Sequence, residues 1–307
     1  MNLLITGCCG HIGSYLVSNI DRIKKIKKVF LIDNLVSTPL NSLFFNKIKK
    51  NSKFFKIDLS KKNSLKKIKK IDFVIHLASM TNAEKSFDNK NKMYQNNIAC
   101  MKNIIDFCHK NKSKLIHISS TSVYGKQTDL VDETCEKKYL KPQSPYADIK
   151  LIEENMLKKA NKKISYTTFR FGTISGVSKG MRFHTAVNKF CLDASLGNNI
   201  TVYKTALNQF RPYLSLDDAF KVFKFTIEKN FFKNDIFNAL SENCTVKNIL
   251  DKIKIYKKDI NIKFVSSPIM NQLSYHVDKK KLTDEGLYLK RKIELDIKET
   301  LKVLQNI

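Results

Sequence analysis

Thr6-Gly7-Cys8-Cys9-Gly10-His11-Ile12-Gly13 follows a short β-prone run, residues 2–6, and opens a stretch with apolar residues at helical spacing. This order of strand, glycine loop and helix constrains the fold more than any other segment. Gly7 suits a tight turn, Gly10 lets backbone approach a pyrophosphate, and Gly13 lets a helix close on a strand. His11 and Ile12 begin the helix whose N-terminus offers amide donors and positive potential to phosphate. The next β-rich run, KVFLID, ends in Asp33, about 20 residues beyond Gly13, where a carboxylate pairs with the adenosine ribose hydroxyls. The same charge repels a 2′-phosphate. The pattern therefore predicts NAD rather than NADP, held by this loop with Asp33 and its neighbour Asn34.

The rest of the first half repeats the alternation. β-rich runs at 2–6, 28–32, 53–57, 72–77, 114–119 and 164–170 are separated by helical patterns at 11–22, 61–69, 83–110 and 144–160. This predicts an α/β fold: a Rossmann-type doubly wound parallel sheet covered on both faces. Beyond residue 170 the pattern loosens into helices near 181–196, 216–228, 245–257 and 295–305, with strands near 200–203, 235–238 and 261–265. The expectation is an NAD-binding domain over 1–170 and a smaller α/β substrate-binding part over 171–307, with segments free to return to the main sheet. Further cofactor contacts are expected from Asp58 and Leu59, which close FFKIDL, from Leu77, Ala78 and Ser79 after the fourth strand, and from Asn97. His76 reads as a packed residue.

The net charge of +28 raises nucleic acid and anionic membrane as partners. Only five of the 56 basic residues are arginine, however, and the lysines fall in pairs between apolar helix positions. No platform of aromatics interleaved with basic residues stands out. Solvated lysine faces explain the charge, so no membrane partner is expected and a nucleic-acid partner is disfavoured. Three of the five arginines, Arg170, Arg182 and Arg211, fall between 170 and 211. The seven cysteines show no zinc or CxxC spacing, so free thiols in a cytoplasmic protein without a bound metal are expected. The N-terminal residues read as a strand entering a turn rather than a signal peptide.

Tyr146-Ala147-Asp148-Ile149-Lys150 sets a phenol and an ammonium one helical turn apart on one face. A neighbouring cation favours phenolate and would lower the tyrosine pKa towards use as a base. The spacing recurs at Tyr275/Lys279 and Tyr288/Lys292, so context decides. Tyr146 alone follows a Pro142-x-Ser144-Pro145 helix start inside the alternating half. It also comes after Ser120, at the carboxyl end of KLIHISS, where such sheets bind ligands.

In order, TGCCGHIG, Asp33, HLAS, ISSTSVYG, SPYADIK and RFGTISG resemble the extended short-chain dehydrogenases/reductases, especially their nucleotide-sugar epimerase/dehydratase branch. The resemblance covers essentially the whole chain and is strongest up to about residue 180. It implies a catalytic set of Ser120, Tyr146 and Lys150. Tyr146 would take the proton from a sugar hydroxyl, Ser120 would hold the same oxygen, and Lys150 would bind the nicotinamide ribose. It also implies a nucleotide-sugar substrate and a homodimer built on the 83–110 and 144–160 helices.

Dehydratases of this branch resemble Thr-Asp-Glu before Val-Tyr-Gly, whereas this chain has Ser120-Thr121-Ser122. Neither Thr121 nor Ser122 can act as a carboxylic acid, which favours 4-epimerisation or simple oxidoreduction over water loss. The resemblance places Thr81, Thr121, Ser122, Thr173, Arg182 and Arg211 at the substrate, with Arg211 the leading candidate for gripping a diphosphate. Thr173 and Thr81 depart from the branch's usual residues. SSPIMNQLSYHVD lacks its second phosphate-binding arginine, leaving Asn271, with Gln272 and Tyr275, as neutral substitutes. The alternatives are an oxidoreductase of another hydroxyl or keto compound and a non-enzymatic RNA-binding member of the family.

Overall fold

The computed structural model describes residues 1–37, 40–44, 46, 48–81, 87–127, 130–266 and 274–305. Seven parallel strands form the main sheet: β1 (Asn2–Thr6), β2 (Lys28–Asp33), β3 (Asn51–Lys56), β4 (Phe73–His76), β5 (Lys114–Ser120), and, after the short β6 (Leu130–Val131), β7 (Tyr166–Phe171) and the later β11. Between β7 and β11 lie β8 (Thr173–Ser175), β9 (Ile200–Tyr203) and β10 (Phe210–Ser215). Then come β11 (Ile236–Ala239), β12 (Glu242–Thr245), β13 (Ile262–Val265) and β14 (His276–Val277). The main-sheet order is β11-β7-β5-β4-β1-β2-β3, so the winding direction reverses between β1 and β4. In open α/β sheets that switch point opens the ligand crevice.

Successive strand residues divide between two cores, as a sheet covered on both faces requires. Leu3 and Ile5 point to one face, where α1 (His11–Ser18) and the later α5 supply Leu16, Val17, Phe220 and Phe223. Leu4 points to the other, against α2 (Lys90–Asn111) and α3 (Pro145–Ala160), through Met101, Ile104, Phe107 and Leu157. The remaining helices are α4 (Ala186–Ser195), α5 (Leu216–Glu228), α6 (Val246–Tyr256), α7 (Lys280–Asp284) and α8 (Ile293–Leu304). A third core joins α4, α6 and α8 to β9 and to Tyr213 and Cys244 of the separate β12-β10-β8 sheet.

Three expectations differ from the structure. Residues 61–69 form turns, not a helix. Left-handed backbone at Asn63 and Lys70 (φ 58° at each) brackets a segment too short to repay helix nucleation. The second helix begins at Lys90, and 82–86 lie outside the described residues. Beyond residue 170, β8, β10 and β12 were not anticipated, while β11 returns to the main sheet beside β7.

Candidate active site

The glycine loop is built by close packing. Gly7 has φ +67°, and a Cβ there would lie 2.7 Å from the Ala78 nitrogen. A Cβ on Gly13 would overlap the Gly7 carbonyl, whereas one on Gly10 would meet nothing nearer than 3.4 Å. Gly7 and Gly13 are therefore demanded by the protein's own packing, whereas Gly10 would admit a Cβ at ordinary contact distances. α1 has no side-chain N-cap, so the first-turn amides, including those of His11 and Ile12, remain available to an anion. Thr6 fastens the loop to the β4 end: its Oγ1 accepts from the Leu77 and Ala78 amides at 3.1 and 3.2 Å and lies 2.9 Å from His76 Nδ1. Burial drives the His76 pKa down to about 3, so it is a neutral packing residue.

Asp33 ends β2 at the rim of this loop, nearly buried, with Oδ2 accepting from the Cys9 amide and Oδ1 from the Leu35 amide. Its lone pairs remain able to accept ribose hydroxyls, so loop and carboxylate fit a dinucleotide. Asn34 caps its own turn through the Val36 amide. Asp58 does the same at Ser60, beside the buried Leu59. Asn97 is buried and clamps Met80 by both backbone groups, fixing the segment after Ser79. The sequence assigned Asp58 and Asn97 to cofactor contact; in the structure Asp58 accepts from the Ser60 amide and hydroxyl, and Asn97 bonds both backbone groups of Met80 and accepts from the Asn96 side-chain amide.

Ser120 sits at the carboxyl end of β5, with its Oγ 2.8 Å from Ser122 Oγ and accepting from the Ser122 amide. The Thr121 hydroxyl instead turns inward onto the Phe171 carbonyl, and the residue is buried. Ser144 caps α3 by accepting from the Ala147 amide, and Pro145 occupies the first turn. That start sets Tyr146 on the inner face, with Lys150 Nζ 5.8 Å from its ring centre.

Burial raises the Tyr146 pKa, outweighing the opposing pull of Lys150. The lowering expected from spacing is thus reversed by desolvation. Lys150 is committed elsewhere: its Nζ donates to Glu153 Oε2 at 2.7 Å, and His117 Nε2 lies 3.1 Å from the same oxygen. A carboxylate can only accept, so Nε2 carries the proton, and His117 Nδ1 lies 3.2 Å from Thr168 Oγ1. All four residues are buried. Burial alone would weaken the Lys150 charge, but Glu153 raises the Lys150 pKa overall. The sequence reading missed Glu153 and His117, although Glu153 lies three residues beyond Lys150 on the same helix.

The arginines divide sharply. Arg170 is bidentate on Glu154 (2.9 and 2.8 Å) and lies over the Tyr124 ring, a purely internal role. Arg22 and Arg291 also face carboxylates. Among the described residues, Arg182 and Arg211 have no carboxylate partner. Arg211 lies on β10, half-buried, with its buried Nε unbonded among the described residues. Arg182 reaches across to Thr81 Oγ1 at 2.8 Å and Ser37 Oγ at 3.3 Å. Thr173 pairs with Tyr213 between β8 and β10, and Asn271 lies outside the described residues.

A sheet of this order, with a glycine loop at its switch point, Ser120 at the end of β5 and Tyr146 with Lys150 near the start of α3, has the layout of an extended dehydrogenase/reductase. The family model described as NAD dependent epimerase/dehydratase family matches residues 3–239, and the chain belongs to that family, whose cofactor is NAD. The chain is similar to a UDP-glucose 4-epimerase of Yersinia enterocolitica, 32% identical over 56% of this chain and 53% of that one. It is also similar to a dTDP-D-glucose 4,6-dehydratase of Dictyostelium discoideum, 29% identical over 76% of this chain and 56% of that one. Both matches thus span little more than half of the relative. A UDP-N-acetylglucosamine 4-epimerase from Methanobrevibacter ruminantium has the same fold, with a TM-score of 0.86 at 25% identity, covering 100% of this chain and 99% of that one. No helix among the described residues is long and apolar enough to cross a membrane.

Proposed function

We propose that this chain is an NAD-dependent 4-epimerase of a nucleotide sugar, serving surface-polysaccharide or glycoconjugate synthesis. The observation that carries the reading is the make-up of the reaction centre. It offers a phenol, an ammonium and the hydroxyl pair Ser120–Ser122, while Thr121 turns away onto the Phe171 carbonyl. Asp148, on the same helix, is exposed, and Glu153, on the Tyr146–Lys150 face of α3, is bound by Lys150 and His117. Elimination of water needs a free carboxylic acid that this set does not provide.

NAD, which the glycine loop and Asp33 would hold, would supply a reversible hydride acceptor, so that one cycle would leave no net redox change. Tyr146 takes the hydroxyl proton and later restores it, and Ser120 holds the same oxygen. Lys150 supplies the charge that offsets part of the burial effect on the phenol. Arg211, whose buried Nε has no hydrogen-bond partner among the described residues, suits the substrate diphosphate, and Ser122 and Thr173 are the proposed further substrate contacts. Residues 1–170 act as the cofactor half and 171–307 mainly as the substrate half. The enzyme works as a cytoplasmic homodimer through α2 and α3, where Tyr94 is exposed; sedimentation checks that assembly.

A sugar bearing deuterium on the inverted carbon tests the reaction type. Retention of the label in the inverted product supports transient oxidation, and exchange of the label with solvent contradicts it.

A further inference from the structure

Arg182 is half-buried and reaches two hydroxyls but, among the described residues, no carboxylate within ion-pair distance. Its two partners belong to opposite lips of the crevice. Ser37 follows β2 on the Asp33 side, and Thr81 follows β4. A guanidinium NH2 lies 3.7 Å from where a Cβ on Gly10 would stand. Gly180, two residues earlier, presses so closely on the glycine loop that a Cβ there would overlap the Cys9 carbonyl and lie 2.7 Å from the Gly10 carbonyl. The Gly180 amide also donates to Ser14 Oγ at 2.8 Å, and His11 Nε2 lies 2.9 Å from the Gly176 carbonyl. The 176–182 segment is therefore locked onto the dinucleotide loop rather than standing across the site on the substrate side.

The charges acting on Arg182 locate it along the crevice. It feels both the Asp33 carboxylate and the Tyr146 phenol. A dinucleotide with its adenosine ribose on Asp33 and its nicotinamide at Tyr146 has its pyrophosphate between them. A partly desolvated cation without a counter-charge is costly unless an anion completes it. Burial already lowers the Arg182 pKa. Gly10, whose Cβ position this guanidinium approaches, is also the residue from which α1 starts without a side-chain cap.

We infer that Arg182 is a cofactor residue: its guanidinium closes over the NAD pyrophosphate opposite the glycine loop, and it does not grip the substrate diphosphate. The inference rests on the placing of NAD in this crevice and is independent of which sugar reaction follows. Its planar donors match two phosphate oxygens, which a lysine ammonium does not reproduce. In the free protein the Thr81 and Ser37 hydroxyls hold those donors in place across the mouth.

The test is binding rather than turnover, so it reads the same if the epimerase assignment fails. Dissociation constants for NAD, ADP-ribose and adenosine are measured by calorimetry or competition on wild type, Arg182→Met and Arg182→Lys, across a salt series. Arg182→Met is expected to weaken NAD and ADP-ribose at least about 10-fold and to flatten their salt dependence. Arg182→Lys should fall between, and adenosine, which has no phosphate, should be unaffected. Unchanged NAD affinity in Arg182→Met overturns the inference. So does an equal loss for adenosine, which would mark a general disturbance of the crevice.

Discussion

Lys150 Nζ lies 2.7 Å from Glu153 Oε2, with both side chains buried on the face of α3 that carries Tyr146. The proposed catalytic lysine is thus held by an ion pair inside its own helix. Burial alone would raise the Glu153 pKa, but Lys150 and His117 outweigh it and hold the carboxyl at about 2, against an ordinary 4.5. A depressed carboxylate pKa stabilises the fold above the unfolded value and loses that contribution as pH falls towards the folded one. The shift corresponds to about 3 kcal/mol. Glu153→Gln should therefore lower unfolding free energy at pH 7 by about 3–5 kcal/mol, since it leaves a buried ammonium unpaired. The difference from wild type should shrink between about pH 4.5 and 2. Urea titrations across that range check both points.

The glycine loop separates folding from ligand binding. Gly13→Ala drives a methyl into the Gly7 carbonyl and should cost several kcal/mol of stability, read as a lowered Tm. Gly10→Ala meets nothing closer than 3.4 Å, so it should fold normally and lose NAD affinity instead. Equal loss of Tm in both variants would contradict the reading.

Asp33→Asn keeps an acceptor for the Leu35 amide and removes the negative charge at the adenosine end. NAD binding should weaken and discrimination against NADP should relax, each by about 10-fold or more. Fluorescence titration with the two cofactors measures the ratio, and unchanged discrimination would count against the ribose role.

Tyr146→Phe removes only the phenol oxygen from a ring that packs beside Met93 and Ile149. The fold and NAD affinity should persist while turnover falls by at least about 100-fold, the lower range for a lost acid/base. A fully active variant would mean the base lies elsewhere.

The sequence made the cofactor half readable because local chemistry dictates it. Gly7, Gly13 and Asp33 answer to a turn, a close contact and a strand end, and all three are visible within 33 residues. Ser144 and Pro145 likewise announced the start of α3. What stayed hidden depends on contacts between distant segments. His117 meets Glu153 only when β5 and α3 pack together, and Arg182 meets Thr81 across 101 residues. Resemblance put Arg182 at the substrate, whereas its place beside the glycine loop is the ground for the cofactor role proposed above. Residues 61–69 carried a helical apolar pattern, yet Asn63 and Lys70 in left-handed backbone reduced it to turns that bury Leu65 and Ile68. β8 and β12 are only three and four residues long, and Pro212 interrupts the strand pattern of β10.

The most direct measurement is to incubate the purified protein and NAD with UDP-, GDP-, dTDP- and CDP-sugars, following product mass, stereochemistry and absorbance at the NADH band together. The account predicts a stereoisomer of unchanged mass with no accumulation of NADH. A product lighter by one water, or NADH rising in step with conversion, would contradict it.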